Sequence, residues 1–126
     1  MSTFRYSDSV MSAFGDTIRN ARKGQKISLR ALAEKLGINF TYLSKIESGE
    51  LAAPAEDKII AIANQLGLDA DELFMLARRV PSELTASVLR PQMPKILRAT
   101  KGLSNEQLEE MLQWVNERRD VAQDEG

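Results

Sequence analysis

Seven basic side chains fall between positions 19 and 45: Arg19, Arg22, Lys23, Lys26, Arg30, Lys35 and Lys45. One acid, Glu34, interrupts them, so this segment carries a local net charge of +6 while the whole chain sums to −1. Clustered guanidinium and ammonium groups attract a polyanion; the same run also describes the solvated face of a surface helix. Residues 81–126 reverse the balance, with six bases and eight acids, which suggests a second region with a different task. Composition removes most other chemistry. The chain has no His and no Cys, hence no imidazole base, no thiolate nucleophile, no Ser-His-Asp triad and no nitrogen or sulfur metal ligand, only all-oxygen sites. Ser, Lys, Tyr and carboxylates are present but form no constellation at catalytic spacing. No enzyme, cofactor or metal is expected. Disulfides are excluded, so an oxidising compartment is not needed. No apolar run approaches the roughly 18 residues of a membrane span, and Met1 to Asp8 lacks an apolar signal core. A soluble, cytoplasmic protein with no membrane partner is expected.

Rigid elements must position these side chains. The chain is 126 residues long, 43% hydrophobic and 28% charged, the ordinary make-up of a globular protein. Helical periodicity dominates, with no alternating Val/Ile/Thr run and no Asn-Gly hairpin, so an all-α fold is predicted. Val10, Phe14, Ile18 and Ala21 predict a first helix from Asp8 to Lys23, ended by Gly24. Ser28 caps a second, with Leu29, Leu32, Ala33 and Leu36 on one face and Gly37 closing it. Asn39 caps a third, Phe40 to Ser48, with Leu43 and Ile46 inward and Gly49 stopping it. After Pro54, Glu56 and Asp57 open a fourth helix with the stripe Ile59, Ala63, Leu66, closed by Gly67. Asp69 and Glu72 form a capping box for a fifth, to Arg78, burying Leu73, Leu76 and Ala77. Val80-Pro81-Ser82 predicts a boundary between residues 8–80 and 81–126. Beyond it, Ser82 caps a short helix over 82–89. Pro91 and Pro94 kink a segment with Met93, Ile96 and Leu97. Ser104 and Gln107 box a long helix from Asn105 to Ala122.

The segment Leu29 to Ser48 is the informative one. Two short helices meet at Gly37-Ile38-Asn39. Joined by so short a turn at a steep angle, they demand one small residue and one left-handed backbone position; Ala33 and Gly37 supply these. "SLRALAEKLGINFTYLSKIESGE" resembles the helix-turn-helix domain of the Cro/phage-repressor type, the XRE family. The resemblance runs from about Phe14 to Arg78 and includes "IRNARKGQKISLRALA" and "IIAIANQLGLDADELF". It implies a five-helix domain that binds double-stranded DNA with the helix after the turn in the major groove, and hence a transcription regulator, with repression the expected sign. Base edges would be met by Asn39, Phe40, Thr41, Ser44 and Lys45. Lys45 can reach guanine O6 or N7, and Thr41 and Ser44 can bond several bases. Phe40 can pack on a thymine methyl, or simply cover the hairpin. Many relatives carry Gln where this chain has Leu29 and Thr41, so no base code transfers. Ser28 at a helix N-terminus, Arg30, Tyr42 and the chain at Ser48 and Gly49 are phosphate candidates. Arg22 and Glu47 match a family pair that bonds inside the fold.

Residues 81–126 are too short and too polar to bury a good core alone. They should pack on the first domain, on a second chain, or on both, forming a helical dimerisation and regulatory region. A homodimer suits the function, because two reading helices meet half-sites about 34 Å apart on a palindromic operator. Leu108, Met111, Leu112 and Val115, flanked by Trp114, form the candidate dimer interface; the other reading is that this stripe covers the chain's own first domain. The tail "LTASVLRPQMPKILRATKGLSNEQLEEML" resembles helical tails of family members that a partner metalloprotease inactivates by cutting, which points to Leu89–Leu103. The alternative function is an antitoxin that binds DNA alongside a toxin partner.

Overall fold

The computed structural model describes residues 6–125, with side chains from 13 to 123. Val10 of the first stripe and the leading residues Met1–Arg5 lie outside the described side chains. Every regular element among the described residues is helical, as the periodicity predicts. The chain divides into two compact units, the first ending at Thr85 and the second beginning at Ala86.

The first unit contains α1 (Tyr6–Gly24), α2 (Leu29–Leu36), α3 (Phe40–Ser48), α4 (Glu56–Leu66) and α5 (Ala70–Leu76). Its core gathers Phe14 and Ile18 of α1, Leu32, Ala33 and Leu36 of α2, Leu43 and Ile46 of α3, Ile59, Ile62, Ala63 and Leu66 of α4, and Leu73, Phe74 and Ala77 around α5. Two of these, Ile62 and Phe74, extend the stripes read from the sequence. Helix α4 packs against α1, α2 and α5, so its buried face is wider than a single-sided stripe. Leu76, expected inside, is only partly buried.

Caps explain the helix ends. Ser28 Oγ accepts from the Ala31 amide at 3.1 Å, and Asn39 Oδ1 accepts from the amides of Thr41 and Tyr42 at 2.7 and 3.3 Å. Each satisfies donors that the first turn leaves orphaned. Of the box expected at Asp69, the Asp69 arm is formed, its Oδ1 accepting from Asp71 and Glu72 at 2.8 and 3.3 Å. Helix α5 stops at Leu76 rather than Arg78, because Arg78 turns left-handed (φ 57°).

Ser82 does not cap a helix over 82–89. Its amide and hydroxyl both donate to Glu56 Oε1, at 3.2 and 3.0 Å, and a 3₁₀ turn, Ser82–Leu84, follows. With Arg79 donating to the Pro54 carbonyl, the segment after α5 is tied to the start of α4. Helix α6 (Thr85–Val88) is a single turn.

The second unit holds α7 (Met93–Ala99) and α8 (Asn105–Glu125). The Ser104 box is complete: Ser104 N donates to Gln107 Oε1 at 2.9 Å and Gln107 N donates to Ser104 Oγ at 3.1 Å. Taken by itself, this unit buries none of its described side chains. Among the described residues, no helix is long and apolar enough to cross a membrane.

Candidate nucleic-acid interface

The turn joining α2 to α3 is held by backbone and side chain together. Gly37 takes φ 68° and ψ 32°, its amide donates to the Glu34 carbonyl at 3.2 Å, and the Ile38 amide donates to Ala33 at 3.0 Å. A left-handed residue in this place closes the helix at little steric cost only when it is glycine. Lys58 of α4 reaches the Leu36 carbonyl at 3.0 Å, a tether with no signature in the sequence.

Helix α3 divides cleanly. Leu43, Ile46 and Glu47 face inward. Thr41, Ser44, Lys45 and Ser48 share the opposite face by helical spacing; Thr41, Lys45 and Ser48 are exposed and Ser44 half-buried. Phe40 and Tyr42 are exposed at the helix start. The expected base-reading residues therefore lie together on one surface. Two of the candidate contact residues, one for bases and one for phosphate, have competing tasks. Asn39 uses Oδ1 to cap its own helix, so a two-bond contact to adenine would have to displace that cap. The phosphate candidate Ser48 turns its hydroxyl back to the Lys45 carbonyl at 3.1 Å.

The inner face is locked by charge. Arg22 Nε and Nη2 donate to the two carboxylate oxygens of Glu47 at 2.8 and 2.9 Å. A third donor, Nη1, reaches the Ile27 carbonyl at 3.0 Å. One guanidinium thus joins the end of α1, the turn before α2 and the end of α3. The pair is buried. Donating to the Glu47 carboxylate pushes the Arg22 pKa above its ordinary value against the opposing effect of burial. Arg19 pairs with Asp16. The basic run is therefore divided between internal partners and a cationic surface that includes Lys35 and Lys45.

A glycine permits α1 to lie this close to α3. A Cβ placed on Gly15 would stand 2.3 Å from the Glu47 carbonyl oxygen and 2.6 Å from that of Ile46. An isolated glycine inside a helical pattern is the only signal the sequence offers for such an approach.

The family model described as "Helix-turn-helix" matches residues 18–73. Over those residues the chain is similar to a helix-turn-helix domain. In that likeness, α2 and α3 are the paired helices and Gly37–Asn39 the turn. Two relatives from Mycobacterium tuberculosis carry the same class name, the HTH-type transcriptional regulators MT0491 (strain CDC 1551 / Oshkosh) and Rv0474 (strain ATCC 25618 / H37Rv). Each is 35% identical over 74 residues, covering 59% of this chain and 52% of the relative. The chain spans about half the length of these curated relatives. Among solved structures, the clp gene regulator ClgR from Corynebacterium glutamicum superposes with a TM-score of 0.48 at 20% identity, over 73% of this chain and 94% of that one. The SinR protein/SinI protein complex superposes at 0.47 and 27% identity, over 85% and 98%.

Proposed function

We propose that the chain is a sequence-specific DNA-binding transcriptional regulator, a repressor, that reads a palindromic operator as a homodimer with Phe40–Ser48 in the major groove. The exposed face of α3 carries this reading: hydroxyls at Thr41 and Ser44 and a cation at Lys45 project from a helix whose other face is fixed in the core. Glu47, the acid that would repel phosphate, is withdrawn into the pair with Arg22. Base edges in the major groove present the acceptors and donors that such a surface matches. Repression needs only occupancy, which a compact reader supplies by steric exclusion. The cytoplasm is the corresponding compartment.

Homodimerisation is supported by the second unit. Leu112 and Trp114 are 53% and 56% exposed, and Leu108, Met111 and Val115 line the same helix. A matching stripe from a second copy would cover them and set two reading heads one helical turn apart. The same exposed stripe also favours a second reading, in which a toxin takes that surface and DNA is bound only alongside that partner.

Selection of bound sequences from a random duplex pool, with the purified full chain at near-physiological salt, tests the proposal. An inverted repeat with half-site centres near one helical turn is expected. Recovery of no motif from folded protein overturns self-sufficient reading and favours the partner-dependent alternative.

A further inference from the structure

Arg30 is the second residue of α2 and Phe40 the first of α3. The Arg30 guanidinium carbon lies 4.5 Å from the centre of the Phe40 ring. The pair therefore bridges the two helices, and both side chains remain exposed. A guanidinium stacked on an aromatic face keeps its in-plane N–H donors available, because stacking uses its face and not its edge. Phosphate binding alone does not call for that arrangement; a flexible cation would serve.

We propose that Arg30 and Phe40 act as one base-reading unit whose target is a C5-methylated pyrimidine beside a guanine, which makes Arg30 a specificity-determining residue. The inference rests on the DNA-reading function above. Phe40 leads α3 from the end that meets base edges. An apolar ring finds one apolar group there, the C5-methyl of a pyrimidine. Thymine carries it, and so does cytosine methylated at C5. A guanidinium held over that ring can reach the neighbouring base pair, about 3.4 Å along the strand. There only guanine offers two acceptors, O6 and N7, on one edge for the fork. The same geometry gives the unit a preference for C5-methylated over unmethylated cytosine.

The test uses the full chain on its selected duplex. Each thymine is replaced in turn by deoxyuridine, which deletes only the methyl, and each guanine by 7-deazaguanine, which deletes N7. One deoxyuridine position per half-site should weaken wild-type binding about fourfold, the weight of one buried methyl. The adjacent 7-deazaguanine should cost at least about fivefold. Phe40→Ala should erase the first sensitivity, and both Arg30→Ala and Arg30→Lys the second, with melting temperatures confirming that the variants fold. The proposal is overturned if no thymine position responds. It is also overturned if Arg30→Lys binds like wild type while Arg30→Ala weakens all duplexes alike and lowers the salt slope by about 0.9 per protomer, the mark of a phosphate clamp. In either case a retained preference for selected over scrambled duplex leaves the DNA-reading function standing; loss of that preference in the wild type removes both.

Discussion

At the scale of single residues, two charged groups on α3 have opposite fates, and the difference decides what each can do. Lys45 stands exposed and Glu47 buried, two positions apart. A lysine that contacts a base loses discrimination when truncated, whereas one that contacts phosphate loses affinity for every sequence. Lys45→Ala should therefore weaken binding to the selected duplex by roughly fivefold or more while leaving random duplex nearly unchanged. Equal losses on both, measured by titration at fixed salt, would make it a phosphate contact. For the buried pair, Glu47→Ala should cost about 3–5 kcal/mol, because the Arg22 cation is left buried without its carboxylate. Replacing both partners with apolar residues of similar volume should cost much less, and a double-mutant cycle by chemical denaturation measures the difference. The raised Arg22 pKa means that, while Glu47 is a carboxylate, the stabilisation from the Arg22 charge is fully present below the ordinary arginine range. It is lost only as pH rises through the higher folded value, so this guanidinium contributes no titration near neutrality. Both residues were legible in the sequence, Lys45 from its place in the third helix and the Arg22–Glu47 pairing from the family likeness. The third bond from Arg22 to Ile27 was not, because a carbonyl acceptor carries no residue identity.

At the scale of elements, the glycines separate into different roles. Gly15 sits in the middle of α1 with no room for a side chain against the α3 carbonyls. Gly24 ends the same helix with nothing near its would-be Cβ. Gly15→Ala should force α1 and α3 apart and destabilise by about 1–3 kcal/mol, as overpacking does. Gly24→Ala should be neutral or stabilise by up to about 1 kcal/mol, through the unfolded chain. Thermal unfolding of the two variants distinguishes these outcomes; similar melting temperatures would mean that the helices are free to shift. Helix starts were the most readable part of the fold, because caps are local: Ser28, Asn39 and Ser104 each act on amides two or three residues away. Ser82 misled for the same reason. Its hydroxyl had a distant acceptor in Glu56, which local pattern does not reveal.

At the scale of the molecule, the two units differ in what they bury. The first has a contiguous core drawn from five helices, with Arg22 and Glu47 inside it. Among the described residues of the second, no large apolar side chain is buried and most are exposed. Leu112→Asp should yield monomers by light scattering and weaken operator binding, with the helical content of the first unit intact. Unchanged mass would move the proposed interface away from this stripe. Sequence patterning identified the stripe but not its cover, since a period of 3.6 shows which side of a helix is apolar and not what lies against it.

The unburied second unit has a consequence in time. Backbone amides are shielded from solvent exchange by structure that seldom opens, and opening is rare where apolar contacts hold an element down. Amides in Leu29–Leu66 should exchange slowly at any protein concentration. Those in Asn105–Glu125 belong to a helix with little apolar contact of its own, and in dilute solution they should exchange far faster. If a second copy covers that helix, its protection should rise with the concentration of the chain while the first unit's stays fixed. One molecule would then show two clocks, only one of them set by how many copies are present.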